Sequence, residues 1–193
     1  ALNLNIDLDK IPTTGAGLGT SKQLWNSSLT GVEASCALAQ EDVERMKSYK
    51  NSILSVGRDT GIDPAIIAAI ISRETRAGHF LQADGWNSGH KAFGIMQVHR
   101  DNHPRGGKDS EEHMVQAVGL LNELWGITAD CCIYSCRYKA DCQTVLSLSG
   151  GIAAYNCGPG DVSSQEVDQN TEGGDYSSDV VARARWYKKI NFF

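Results

Sequence analysis

Between Asp63 and Gly78 the chain carries the pattern that most limits its fold: Asp63-Pro64-Ala65-Ile66-Ile67-Ala68-Ala69-Ile70-Ile71-Ser72-Arg73-Glu74-Thr75-Arg76-Ala77-Gly78. An Asp at the N-cap, a Pro at the first helical position and a Gly just past the end bound one buried helix. Residues three and four apart share a helix face, so Ile66, Ile70 and Glu74 form one row and Ile67, Ile71 and Glu74 another. A carboxyl therefore stands where a core residue is expected. Desolvation by the isoleucines and the negative end of the helix dipole both disfavour the carboxylate, which moves Glu74 toward the range of a general acid. The position also suits a Glu at a core edge, paired with Arg73 or Arg76.

A chain of 193 residues that is 41% hydrophobic can bury one sizeable core. The sequence predicts an irregular, polar arm over 1–30, punctuated by Pro12, Gly15, Gly17 and Gly19, followed by a single domain over 31–193. No apolar run is long enough for a membrane span. The start at Ala1, with no signal pattern, reads as a processed, mature chain. Six cysteines point to an oxidising compartment and hence to secretion. They predict three disulfides, at least one closed within Cys131–Cys142, where little apolar content holds the loop. A net charge of −5 argues against a nucleic-acid or anionic membrane surface, which wants a basic stripe.

No metal or cofactor is expected. The run Cys131-Cys132-Ile133-Tyr134-Ser135-Cys136 contains no CxxC pair, and His113 lies in an adjacent helix rather than at ligand spacing. His99 and His103 fall in a Pro- and Gly-containing loop, where helical spacing carries no meaning. Gly15-Ala16-Gly17-Leu18-Gly19 lacks the G-x-G-x-x-G spacing of a dinucleotide loop.

Further along the chain, 35–56 reads as one long or two abutting helices with Val43, Met46, Lys50, Ile53 and Leu54 on a face. Phe93-Gly94-Ile95-Met96-Gln97-Val98 suits a short strand or hairpin. Asp109 with Glu112 is read as the capping pair of a helix carrying Met114, Val118, Leu121 and Trp125. Short helices around Thr144–Leu148 and Gly151–Asn156, then a last helix over about Ser178–Lys188, complete a mostly helical α+β chain with a small sheet.

Four ordered blocks carry a resemblance: Ile71-Ser72-Arg73-Glu74, Phe93-Gly94-Ile95-Met96-Gln97-Val98, Gly150-Gly151-Ile152-Ala153-Ala154-Tyr155-Asn156 and Asp179-Val180-Val181-Ala182-Arg183-Ala184. Lesser echoes are Thr13-Thr14-Gly15-Ala16, Gly85-Trp86 and Asp175-Tyr176. In these blocks the chain resembles the goose-type lysozymes from about Ile11 to Lys188, least between Gly126 and Val145. The resemblance implies a lysozyme-like α+β fold with a small antiparallel sheet beside the active-site cleft. It implies a secreted, monomeric muramidase that cleaves the β-1,4 bond between N-acetylmuramic acid and N-acetylglucosamine in bacterial peptidoglycan, and binds N-acetylglucosamine oligomers, without a cofactor.

The same resemblance makes Glu74 the general acid and lets Gln97, His103, Tyr155, Asn156 and Tyr176 line the sugar cleft. One departure stands out. Where such enzymes hold the attacking water on one or two aspartates, this chain has Ser88 and His99. Asp101, two residues past His99 in the same loop, is the first replacement, and Asp84, just before Gly85-Trp86, the next; inversion needs two carboxyls about 6.5–9.5 Å apart with a water between them. Without a second carboxylate, the chain would be a lytic transglycosylase, in which the sugar's own hydroxyl attacks, or a glycan-binding protein with little turnover.

Overall fold

Local chemistry starts the central helix as its sequence predicts. Asp63 Oδ1 accepts the Ala65 N–H at 2.9 Å, and Pro64 takes the first helical position, where its missing N–H costs nothing. The computed structural model describes residues 7–25, 28–134, 148–163 and 166–193. Its helices are α1 (Leu18–Ser21), α2 (Gly31–Met46), α3 (Lys50–Thr60), α4 (Pro64–Thr75), α5 (Glu111–Tyr134), α6 (Leu148–Cys157) and α7 (Tyr176–Lys189). Strands β1 (Ala92–Phe93) and β2 (Val98–His99) pair antiparallel, with Ala92 opposite His99 and Phe93 opposite Val98. The protein is thus α+β, mostly helical, with one small antiparallel sheet.

Two compact units divide the described residues. The first comprises, of the described residues, Asp7, 36–119 and 183–193. Its core is built on α4, whose Ile66, Ile67, Ile70 and Ile71 are at most 1% exposed. Burial of that order contributes about 1.5–3 kcal/mol per side chain before entropy is charged. Leu38, Met46 and Ile53 from α2 and α3 and Met114 and Val118 from α5 are buried in this unit as well. The second unit comprises 8–35 and 120–182. Ala34, Leu121, Ile152, Ala153, Val180 and Val181 are among its buried apolar residues. Its N-terminal stretch is tied down by a bridge in which Ala16 and Gly31 exchange N–H···O bonds of 3.1 and 2.7 Å.

Several expectations shift in detail. Segment 35–56 resolves into two abutting helices, α2 and α3, joined by a 3₁₀ turn at Lys47–Tyr49. Leu54, placed on the inner face by its spacing, is 37% exposed, and Val56 is buried instead. The cap of α5 is Ser110 rather than Asp109: its hydroxyl accepts the His113 N–H at 3.2 Å, the third-position bond of an N-cap. Helix α4 ends three residues before Gly78, on Arg76 in the left-handed conformation at φ 52°. Cys157 is a free thiol, not half of a disulfide. Its Sγ donates to the Gly158 carbonyl at 3.6 Å, and burial pushes its pKa up. Thr144–Ser147 and the side chains of Cys131, Cys132, Cys136 and Cys142 lie outside the described residues. Among the described residues, no helix is long and apolar enough to cross a membrane.

Candidate active site

Glu74 is the penultimate residue of α4 and is half-buried, at the end of a row whose other members are fully buried. The chain then turns sharply, with Arg76 and Ala77 both at φ 52°. A left-handed conformation costs a non-glycine residue roughly 1–2 kcal/mol, so something must hold Arg76 there. Its guanidinium does so. Nε donates to Asp42 Oδ1 and Oδ2 at 2.9 and 3.0 Å, and Nη2 donates to Glu41 Oε2 at 2.8 Å. Asp42 is completely buried and also accepts the Ser72 hydroxyl at 2.6 Å and Arg45 Nη2 at 2.5 Å. Arg183 adds a bond from Nη1 to Ser72 Oγ at 2.9 Å. The helix end that carries Glu74 is therefore anchored from behind by a buried ionic cluster.

Thr75 ties the same helix end to the hairpin. Its hydroxyl lies 3.0 Å from the Ile95 carbonyl and 3.2 Å from that of Ile71, both of which accept, while it accepts the Gly78 N–H at 3.1 Å. Ile95 belongs to the Gly94–Gln97 turn that joins β1 to β2. Within that turn Gln97 sits at φ 51°, and both its backbone N–H and its side-chain Nε2 donate to the Gly94 carbonyl, at 3.0 and 2.7 Å. His113 of α5, fully buried, accepts the Met96 N–H on Nε2 at 3.3 Å. Burial lowers its pKa to about 4, against a smaller opposing pull from Asp109, so the ring is neutral at ordinary pH.

The loop that follows β2 carries the remaining predicted residues of the first unit. Asp101 lies in a 3₁₀ turn at Arg100–Asn102, with 79% of its side chain exposed. Its Oδ2 is 3.4 Å from His99 Nδ1 and its Oδ1 is 3.8 Å from Arg100 Nε. His103 caps this turn at φ 50°, is exposed, and accepts Gln116 Nε2 on its backbone carbonyl at 3.1 Å. Asp84 is exposed and already turns its own loop, accepting the Trp86 N–H at 3.0 Å.

The second unit holds Tyr155, Asn156 and Tyr176. Tyr155 and Asn156 are half-buried near the end of α6, and Asn156 Oδ1 accepts the Glu172 N–H at 2.8 Å. Tyr176 opens α7 and is 1% exposed. Asp168 secures that start: its carboxylate accepts the Ser177 N–H at 2.7 Å, the Ser177 hydroxyl at 2.9 Å and the Ser178 N–H at 3.0 Å. A carboxylate at a helix N-terminus gains from both the open N–H groups and the dipole.

Glu74 and Gln97 are therefore linked through Thr75 and Ile95, whereas Asp101 and His103 are placed on an exposed turn beyond the hairpin. Sequence reading passed over three contributors to this arrangement: Thr75, Asp42 and His113. Only Thr75 had a local signal, as a polar residue next to the catalytic candidate; the others act across 32 and 17–19 residues of sequence. Among the described residues, no group of His, Cys, Asp or Glu is gathered as a metal site.

Known proteins share this chain along nearly its whole length. The family model described as Lysozyme g matches residues 6–191. Lysozyme g from Cyprinus carpio is 44% identical over 188 residues, which cover 96% of this chain and 97% of the relative. The Epinephelus coioides protein of the same name is 46% identical over 193 residues, with 92% and 93% covered. That of Struthio camelus is 40% identical over 189 residues, with 96% and 88% covered. The match takes in every element that positions Glu74 and Gln97, and the chain belongs to the lysozyme g family of glycoside hydrolases.

Proposed function

We propose that this enzyme is a muramidase that hydrolyses the β-1,4 bond between N-acetylmuramic acid and N-acetylglucosamine in peptidoglycan, with Glu74 as the general acid. The observation that carries the reading is the half-buried carboxyl at the end of the buried α4 row, braced by Thr75 against the turn that bears Gln97. A carboxyl at the edge of a buried apolar row suits the role of proton donor to a glycosidic oxygen. In the reaction, Glu74 gives its proton to the departing sugar oxygen as the C1–O bond breaks. Water adds to C1 from the opposite face and loses a proton to a base, which inverts the anomeric carbon.

Asp101 is the proposed base. Its exposure leaves it open to water, and its carboxylate lies 3.4 Å from His99 Nδ1 and 3.8 Å from Arg100 Nε. Gln97, His103, Tyr155 and Asn156 supply amide, imidazole and phenol groups suited to sugar hydroxyls and acetamido groups. Tyr176, the fifth residue of that set, is 1% exposed. The reading extends to a secreted, bacteriolytic, monomeric protein that also binds N-acetylglucosamine oligomers, with a disulfide inside Cys131–Cys142.

A second reading rests on Ser88 and His99, which stand where aspartates are expected: cleavage by the sugar's own hydroxyl, as in lytic transglycosylases. Product analysis on purified peptidoglycan separates the two by mass and anomeric configuration. Hydrolysis with inversion gives fragments one water heavier and of the opposite anomer. An anhydro product overturns the hydrolytic reading, and binding without any product overturns both.

A further inference from the structure

We propose that His113 is a positioning residue: by accepting the Met96 N–H it holds the Gly94–Gln97 turn against the end of α4, fixing Gln97 relative to Glu74, and it lets go when its ring takes a second proton. The inference rests on the reading of Glu74 and Gln97 as working parts of the site.

Geometry carries it. His113 is fully buried, and Nε2 accepts the Met96 N–H at 3.3 Å, which fixes the proton of the neutral ring on Nδ1. Nδ1 is buried with no protein hydrogen-bond partner among the described residues. One side of the ring thus carries an uncompensated desolvation cost, and the contact to Met96 on the other side is what the residue supplies in return. The fit is close: a Cβ on Gly94 would lie 2.4 Å from both Cε1 and Nε2, and the Phe93 ring meets the imidazole edge-on at a centroid distance of 5.7 Å. The turn so gripped is bound on its other sides as well. Ile95 donates its N–H to the Lys108 carbonyl at 2.6 Å, and its own carbonyl faces the Thr75 hydroxyl, one residue from Glu74.

Protonation reverses the grip. An imidazolium has an N–H on both nitrogens, so Nε2 can no longer accept and instead points a donor at the Met96 N–H. Desolvation holds that event down to a pKa of about 4. Asp109, just ahead of α5, is the charged group that acts on the ring and favours its protonation. Phe93, Gly94 and Met96, which meet the ring, bring no ionisable side chain. Lys108 turns its ammonium to the carbonyls of Gln82 and Ala83 at 3.3 and 2.9 Å, and Glu112 on the same helix is exposed.

The test combines NMR of the wild type with two variants. In the full chain, the Met96 amide resonance should follow the His113 ring through one titration with its midpoint near pH 4, with the ring in the Nδ1–H tautomer above it. His113→Gln keeps an acceptor that does not titrate, so it should retain wall-lysis activity near neutral pH and lose the acid limb that the wild type shows around pH 4. His113→Phe keeps a ring without an acceptor and should lower activity at least tenfold at all pH values. A Met96 amide indifferent to the ring's titration overturns the proposal, as does an acid limb in His113→Gln that matches the wild type. The NMR arm needs no substrate: a wild type that lyses no wall while Met96 follows the ring leaves the grip standing and overturns the functional reading instead.

Discussion

Arg76 donates from Nε to both oxygens of Asp42, at 2.9 and 3.0 Å, while its backbone closes the helix on which Glu74 is the penultimate residue. Removing one partner of a buried pair leaves the other charge without compensation, and here three guanidinium groups, of Arg45, Arg76 and Arg183, face the same carboxylate. Asp42→Ala should therefore destabilise the protein by about 3–5 kcal/mol. Glu41→Ala, which removes the 46% exposed partner of the same Arg76, should cost less than about 1 kcal/mol. Urea midpoints of the two variants check the ordering; equal losses would mean that the buried carboxylate does not carry the cluster.

Glu74→Gln should abolish cell-wall lysis while leaving binding of N-acetylglucosamine oligomers nearly intact. The amide keeps the shape but cannot deliver a proton, and a positioned general acid contributes about 10²–10⁴-fold. Lysis rates and oligosaccharide titrations measure the two halves. Activity within tenfold of wild type removes Glu74 from its role.

Asp101→Asn should lower hydrolysis more than Asp84→Asn. Asp101 is open to solvent beside His99 and Arg100, whereas Asp84 already spends an oxygen on the Trp86 N–H that shapes its own turn. Initial rates on peptidoglycan check the order. Normal rates in both variants and in the double variant would leave the reaction without either base.

What could be read from the sequence was local. The start of α4 followed from Asp63 and Pro64, and the hairpin followed from a short β-rich run around Gly94, because both signals reside in neighbouring residues. The start of α5 was misplaced by one residue because Asp109 and Ser110 are both competent caps and only the folded geometry shows which hydroxyl or carboxyl meets the third N–H. The C-cap at Arg76 was hidden because Gly78 is the residue nearby that favours the left-handed conformation, and the helix stops three residues before it. Asp42, 34 positions earlier, makes that conformation affordable. The role of His113 is not legible locally, since its contact with Met96 spans 17 residues and joins α5 to the hairpin turn. Sequence periodicity thus located the catalytic candidate, while the parts that hold it arise from pairings at long range.

Gly94→Ala should cost at least about 2 kcal/mol, because φ is +78° and the new Cβ would lie 2.4 Å from the His113 ring. Gly119→Ala on α5 is the control: nothing lies within 4 Å of its would-be Cβ, and replacing a helical Gly should instead stabilise by about 0.5–1 kcal/mol. Thermal or urea unfolding gives both numbers. Losses of the same sign and size would show that the turn at Gly94 is looser than its contacts state.

Stability itself should depend on pH through His113. In the unfolded chain this imidazole takes its proton at about 6.5, whereas in the folded protein burial delays protonation to about 4. Between those values the unfolded state binds more protons, so stability rises with pH across the window and is eroded as pH falls through it, with the loss complete below the folded value. The difference corresponds to at most about 3 kcal/mol. Carboxylates titrate in the same range, so the informative quantity is wild type minus His113→Phe, which removes this one group. Urea unfolding from pH 7 to 3.5 should give a difference that is flat above about 6.5 and moves against the wild type below it, as the wild type alone loses the contribution. A difference independent of pH would mean that the folded ring titrates like a solvated one, and that its burial in the core of the first unit does not hold it neutral.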